Sequence, residues 1–308
     1  LPVRVEGNLD SEVVLLMLHG GPKGSSFDYN YGLYTELLED TYAMAYFDQR
    51  GQGASHGSFE AEEVTIQQLA DDTANLVRAI RVRYGEETSV WLFGHSWGGM
   101  LGTATILDTD VAVDGWIEAA GSHDYPLNDE YTVDLLTTIG NEEIEAGSEY
   151  ASEWGTLLEE VDELNRQGGI VWEETADLNR LAYDAETYLD LPYHEDAFGE
   201  ESVVGLLLGA PINFFTATVS GLVPAYMLNQ EAFETSYTDR LDEITIPSLF
   251  LYGEYDFVCP PQLGVDAYER VGTDATDFIL YEDAGHSLML QAPREFASDI
   301  IDFVDTWR

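Results

Sequence analysis

Lysine is almost missing from this chain. Lys23 is the single lysine among 308 residues, and with the arginines the basic total reaches only 12 against 59 acidic residues, a formal charge of −47. A field of that sign repels nucleic-acid phosphates and anionic membrane surfaces, so neither is expected as a partner. Cys259 is the single cysteine, which excludes an intramolecular disulfide and leaves the redox compartment open. The six histidines show no H-x-H or H-E-x-x-H spacing, and no Gly-rich phosphate loop, dinucleotide fingerprint or internal repeat occurs. Neither a metal nor a cofactor is therefore expected. The chain opens at Leu1 with no basic-then-apolar leader; the expectation is a soluble protein, either cytoplasmic or exported with a leader already removed. Its oligomeric state is left open.

What is present is a full complement of core-forming residues. Apolar residues make up 45% and aromatics 12% of the chain, and the acids are spread along its whole length. That composition excludes disorder as the reason for the charge. A dense carboxylate surface with lysine removed is expected instead to be an adaptation to salt. At this length one core with a sizeable insertion, or two domains, is expected.

The stretch at residues 88–99, TSVWLFGHSWGG, organises the rest. Residues 90–93 form an unbroken apolar run suited to a strand buried on both faces of a parallel sheet. The run enters Gly94-His95-Ser96-Trp97-Gly98, a G-x-S-x-G pattern, and then a segment able to start a helix. Strand, glycine-flanked turn and helix are the context of a nucleophile elbow, which exposes a serine hydroxyl at the sheet edge. About 0.1 such patterns is expected by chance in a chain of this length.

Other strands predicted from the pattern end at the same edge. Residues 13–18 (VVLLML) run into His19-Gly20-Gly21-Pro22, whose backbone N–H groups are free to face a ligand. Gly21 or Gly20 is thus a candidate second oxyanion donor beside the N–H of Trp97. Residues 42–47 precede Asp48-Gln49-Arg50-Gly51, where Asp48 and Arg50 are expected to tie the loop to its neighbours. Thr65 and Gln68 fit a capping box opening a helix that closes at Gly85, with Arg78, Arg81 and Arg83 complementing its dipole. Further strands are read at 115–119, 246–252 and 277–281, with a closing helix at 293–307. Asp256 follows the second of these strands and His286 the third, giving the order Ser96, Asp256, His286. The alternation of strands and helices implies a mostly parallel sheet flanked by helices.

From residue 124 to 238 no strand rhythm appears. Acidic helical segments alternate with aromatic positions, as expected of an inserted helical lid between core segments 1–123 and 239–308. Residues 202–230 carry no charge, but Pro211, Pro224 and three glycines break them, which argues against a membrane span and for short helices lining an apolar pocket. Phe214, Phe215 and Tyr226 are the candidate pocket residues.

Taken together, His19-Gly20-Gly21-Pro22, Asp48-Gln49-Arg50-Gly51 and Ser96-Trp97-Gly98-Gly99 resemble the α/β-hydrolase superfamily over the full length, closest to its proline iminopeptidase branch. The resemblance implies an α/β-hydrolase fold with Ser96 as nucleophile, His286 as base, Asp256 as its orienting acid, and Trp97 with Gly21 or Gly20 as oxyanion donors. Lys23 and His95 stand where that branch usually has glycine. The GHSWGG form is also common among esterases and lipases of the wider fold. The expected activity is hydrolysis of carboxylic esters, because the candidate pocket residues are apolar and uncharged. An N-terminal peptidase taking short peptides is the alternative, and a non-catalytic binding protein on the same scaffold a third.

Overall fold

A computed structural model describes residues 1–57, 63–167, 169–198 and 222–308. Seven strands form one sheet: β1 (Val3–Gly7), β2 (Val13–Leu18), β3 (Ala43–Phe47), β4 (Ser89–His95), β5 (Gly115–Ala119), β6 (Ser248–Gly253) and β7 (Thr276–Tyr281). Their spatial order is β1-β3-β2-β4-β5-β6-β7. Only β1 is antiparallel, pairing with β3 at the edge; every other pair is parallel.

The continuous apolar runs follow from burial on two faces. In β2, Val14, Leu16 and Leu18 enter one core cluster while Val13, Leu15 and Met17 enter the other. A strand alternates its side chains, so only an unbroken run can feed two cores at once. Helices α1 (Leu33–Thr41) and α10 (Pro293–Trp307) cover one face through Leu38, Phe296 and Ile300. Helices α2 (Ile66–Tyr84), α3 (Trp97–Asp108) and α8 (Pro261–Arg270) cover the other through Val77, Leu101 and Leu263. At the start of α2 the Thr65 side chain accepts the Gln68 N–H, the cap that the sequence predicts.

Between β5 and β6 the chain leaves the sheet for an inserted helical cap: α4 (Tyr125–Ala146), α5 (Ala151–Leu164), α6 (Thr175–Tyr188) and α7 (Leu222–Phe233). Among its aromatic positions Trp154 lies in its core, while Tyr183 and Tyr193 stay exposed. Trp154 of α5 is fully buried and meets the Phe257 ring edge-on, with centroids 6.0 Å apart. The cap is thereby anchored on the loop that leaves β6. A short helix α9 (Leu288–Gln291) precedes α10.

Candidate active site

Ser96 lies at the end of β4 in a conformation few side chains adopt, φ 58° and ψ −124°. Its surroundings enforce that turn. A Cβ on Gly98 would run into the Leu18 carbonyl of β2, and one on Gly94 into the Gly98 carbonyl and the Trp116 ring. Strand and helix approach more closely than any side chain permits, which is why glycine flanks the serine on both sides. The Ser96 N–H is held by the Ala119 and Ala120 carbonyls at 3.3 and 3.1 Å.

Asp256 and His286 stand on loops leaving the same edge, after β6 and β7. His286 Nδ1 lies 3.0 and 3.1 Å from the two Asp256 carboxylate oxygens. A carboxylate only accepts, so Nδ1 carries the proton and Nε2 is left as the basic nitrogen. Asp256 is fully buried, and its Oδ1 accepts the backbone N–H groups of Val258 and Cys259 at 2.9 and 2.8 Å. Burial lowers the His286 pKa, but the Asp256 charge, its hydrogen bond and the Glu186 charge outweigh it, and the net shift is upward. Ser96 and the buried Cys259 line the same cavity, and burial pushes the Cys259 thiol pKa well up.

A chain of directional hydrogen bonds joins the two sides of this edge. The Gly20 N–H donates to the Tyr29 hydroxyl at 2.9 Å. His95 Nε2 meets the His286 carbonyl at 2.9 Å, and since a carbonyl only accepts, that nitrogen carries the proton. Nδ1 is therefore the acceptor for the Tyr29 hydroxyl at 2.8 Å. Burial, then the neighbouring His286, pull the His95 pKa down to about 3, so this ring stays neutral and keeps its tautomer. The Gly20 N–H is consequently committed. Of the two glycines expected as oxyanion donors, Gly21 is the one whose N–H has no partner among the described residues. The Trp97 N–H opens α3, where no intrahelical acceptor exists.

From the cap, Glu186 of α6 reaches the histidine loop and accepts the His286 backbone N–H at 2.9 Å. Burial, then the Asp256 charge, raise its pKa well above the carboxylate range. In the second loop Arg50 forms a two-pronged pair with Asp72 at 2.7 and 2.8 Å, and Asp48 accepts from Ser25 and from the Ser26 and Ala54 N–H groups. Both therefore tie the loop to its neighbours.

A cavity of about 650 Å³ opens over Ser96 and His286. Gly20, Gly21 and Lys23 line one side; Tyr183, Cys259 and Ser287 another; Ser122, Tyr125, Asn128, Asp129, Thr132 and Thr175 the wall under the cap. The described wall is thus mixed, not apolar as expected. Tyr226 does not belong to it: its side chain is 69% exposed and meets Trp172 edge-on. The reason is helical geometry. Leu228, two positions further along α7 and so on the opposite face, is the residue turned into the core. Phe214 and Phe215 lie outside the described residues. Sequence reasoning missed Tyr29, Glu186, Ser122 and Asn128; His95 alone carried a signal, as a departure from the resembled motif.

A strained serine at a strand-to-helix turn, a carboxylate-bound imidazole and a capped cavity define a class, and comparison with known families agrees. The model of the alpha/beta hydrolase family matches residues 15–299, and the chain belongs to that family of hydrolytic enzymes. It is 24% identical over 307 residues to the proline iminopeptidase of Thermoplasma volcanium, covering 94% of this chain and 88% of that one. Among solved structures it resembles the proline iminopeptidase of Mycobacterium smegmatis (TM-score 0.64, 18% identity, 99% of this chain and 94% of that one). It likewise resembles a thermophilic esterase from Thermogutta terrifontis (TM-score 0.59, 18% identity, 99% and 93%).

Proposed function

We propose that this hydrolase cleaves carboxylic esters by a serine mechanism, with Ser96 as nucleophile, His286 as general base and Asp256 as the acid that orients it. One observation carries the serine mechanism: His286 Nδ1 is held at 3.0 and 3.1 Å by the buried Asp256 carboxylate, at the sheet edge and cavity that also hold Ser96. A serine hydroxyl is unreactive at its own pKa. His286 Nε2 takes its proton as Oγ attacks the acyl carbon, and Asp256 stabilises the imidazolium that results. The N–H groups of Trp97 and Gly21 meet the developing oxyanion, each worth about 3 kcal/mol. His286 then protonates the leaving alcohol, and water releases the acyl group by the same steps.

A second reading, an N-terminal peptidase, draws on the curated relative and on two cap carboxylates, Asp129 buried in the cavity wall and Glu186 half-buried on the His286 N–H. The chain is also proposed to be salt-adapted. Nine of its arginines already pair with carboxylates among the described residues, leaving most of the 59 acids for dissolved cations to screen.

Short p-nitrophenyl esters assayed beside proline-p-nitroanilide, on wild type and Ser96→Ala, test the reading. Ester turnover is expected to dominate and to fall on the order of 10⁶-fold in the variant. A variant retaining more than about a tenth of the activity would overturn the serine assignment. Turnover confined to the anilide would establish the peptidase, and none at all the non-catalytic protein.

A further inference from the structure

Between the glycine loop after β2 and the loop that carries the base, two side chains form a directional chain to which the proposed mechanism gives no role. It starts at Gly20, whose N–H donates to the Tyr29 hydroxyl at 2.9 Å. That hydroxyl donates to His95 Nδ1 at 2.8 Å, and the His95 Nε2–H ends the chain on the His286 carbonyl at 2.9 Å. No link can be reversed, because a backbone N–H only donates and a carbonyl only accepts. His95 is buried, and its ring centroid lies 4.7 Å from that of His286. Tyr29 is anchored in turn: the Tyr34 and Thr35 hydroxyls donate to its carbonyl at 2.9 and 3.1 Å.

The chain bears on the direction of an oxyanion donor. Gly20 lies against the nucleophile: a Cβ there would stand 3.0 Å from Ser96 Cβ and 2.6 Å from the Tyr29 hydroxyl oxygen. His19 Nε2 accepts the Gln49 N–H at 3.1 Å, so its Nδ1 carries the proton and donates to the Gly20 carbonyl at 2.8 Å. A trans peptide is planar, so the Gly21 N–H points opposite to that carbonyl. Gly20 is thus held at both its polar atoms, by the buried His19 on one and by Tyr29 on the other. Loosening either hold lets the Gly21 N–H turn. A glycine or an alkyl residue at position 95 could neither accept from Tyr29 nor donate to the His286 loop. We infer that Tyr29 and His95 are positioning residues for the hydrolysis. They keep the glycine loop and the His286 loop in one register, and so aim the Gly21 N–H at the charge that develops when Ser96 attacks. The inference rests on the serine-hydrolase reading.

The test measures kcat and KM for p-nitrophenyl butanoate, and the inhibition constant of an aliphatic trifluoromethyl ketone whose adduct on serine carries the oxyanion. The proteins are wild type, Tyr29→Phe, His95→Phe, the double variant, His95→Gln and Ser96→Ala. Tyr29→Phe and His95→Phe are each expected to lower kcat about ten- to hundredfold with KM held within about threefold, since an oxyanion donor acts in the transition state. The ketone is expected to bind more weakly by a similar factor. Cutting one chain twice removes nothing further, so the double variant is expected within about threefold of the weaker single variant. His95→Gln, whose amide keeps a donor and an acceptor, is expected to retain at least about threefold more kcat than His95→Phe. Should His95→Phe fail to fold, Tyr29→Phe cuts the same chain and carries the kcat and ketone tests alone. Losses that multiply in the double variant, a change in KM alone, or unchanged ketone binding would overturn the positioning role while leaving the hydrolase in place. Ester turnover that survives Ser96→Ala, or its absence from wild type, would overturn the hydrolase reading and the positioning role with it.

Discussion

The loops at the carboxyl edge of the sheet and the cap helices above them meet in one cavity, yet they hold their polar side chains differently. On the sheet side Asp256 and His95 are over-determined. Asp256 takes two backbone N–H groups besides the imidazole, and His95 is fixed at both ring nitrogens. On the cap side, Asn128 is tied through its Nδ2 alone, and Ser122, at the cap's root, is left open. Groups satisfied from within are preorganised for one chemistry. By the proposed mechanism the reaction belongs to the edge loops, which leaves the choice of substrate to the cap wall.

The sharpest break of that comparison is Asp256→Asn. An amide there forces the wrong imidazole tautomer, and kcat is expected to fall about 10⁴-fold with the fold retained. A loss below tenfold in ester kcat would mean that the edge loops do not carry the reaction. No substitution of the cap wall is expected to approach that loss.

Salt acts on the exposed charge of both regions. Between 0.01 M and 1 M ionic strength the Debye length falls from about 30 Å to about 3 Å, so repulsion among distant carboxylates disappears. Melting temperature is expected to climb steadily across 0.05, 0.5 and 2 M NaCl, by roughly 2 °C for each kcal/mol of repulsion relieved. A level or falling series would show that the −47 charge is not an adaptation to salt.

The smallest effect probes a cap group that touches the histidine loop. As the proposed general base His286 must be neutral, and its pKa is raised, so activity is expected to be lost as pH falls through a midpoint above the ordinary imidazole value. With its pKa pushed up to about 8, Glu186 carries its charge only in part where His286 titrates; Glu186→Gln removes that part, which favours the imidazolium, while keeping an acceptor for the His286 N–H. The midpoint of the kcat/KM profile is expected to move down by about half a unit, with the plateau little changed. An unmoved or raised midpoint would sever the cap from the chemistry.

The two regions also differ in how far they can be read from sequence. The strands are legible because burial on two faces demands continuous apolar runs, and each run says where its edge loop begins. The Gly94-His95-Ser96-Trp97-Gly98 turn is legible because close approach of strand and helix leaves room only for glycine. The Tyr29–His95 contact is not, since it spans 66 positions with no periodic trace. Glu186 is one acid among 59, and only folding singles it out. Tyr226 misled because aromatic character predicts burial, whereas the turn of α7 decides which face is buried.

Covalent capture of the nucleophile tests the central claim most directly. Wild type and Ser96→Ala would be treated with a fluorophosphonate, and the labelled residue located by peptide mass analysis. One adduct is expected on wild type, on the peptide bearing Ser96, formed in step with loss of ester hydrolysis and absent from Ser96→Ala. Persistence of the adduct in Ser96→Ala, or full ester hydrolysis by an enzyme labelled at Ser96, would contradict the claim.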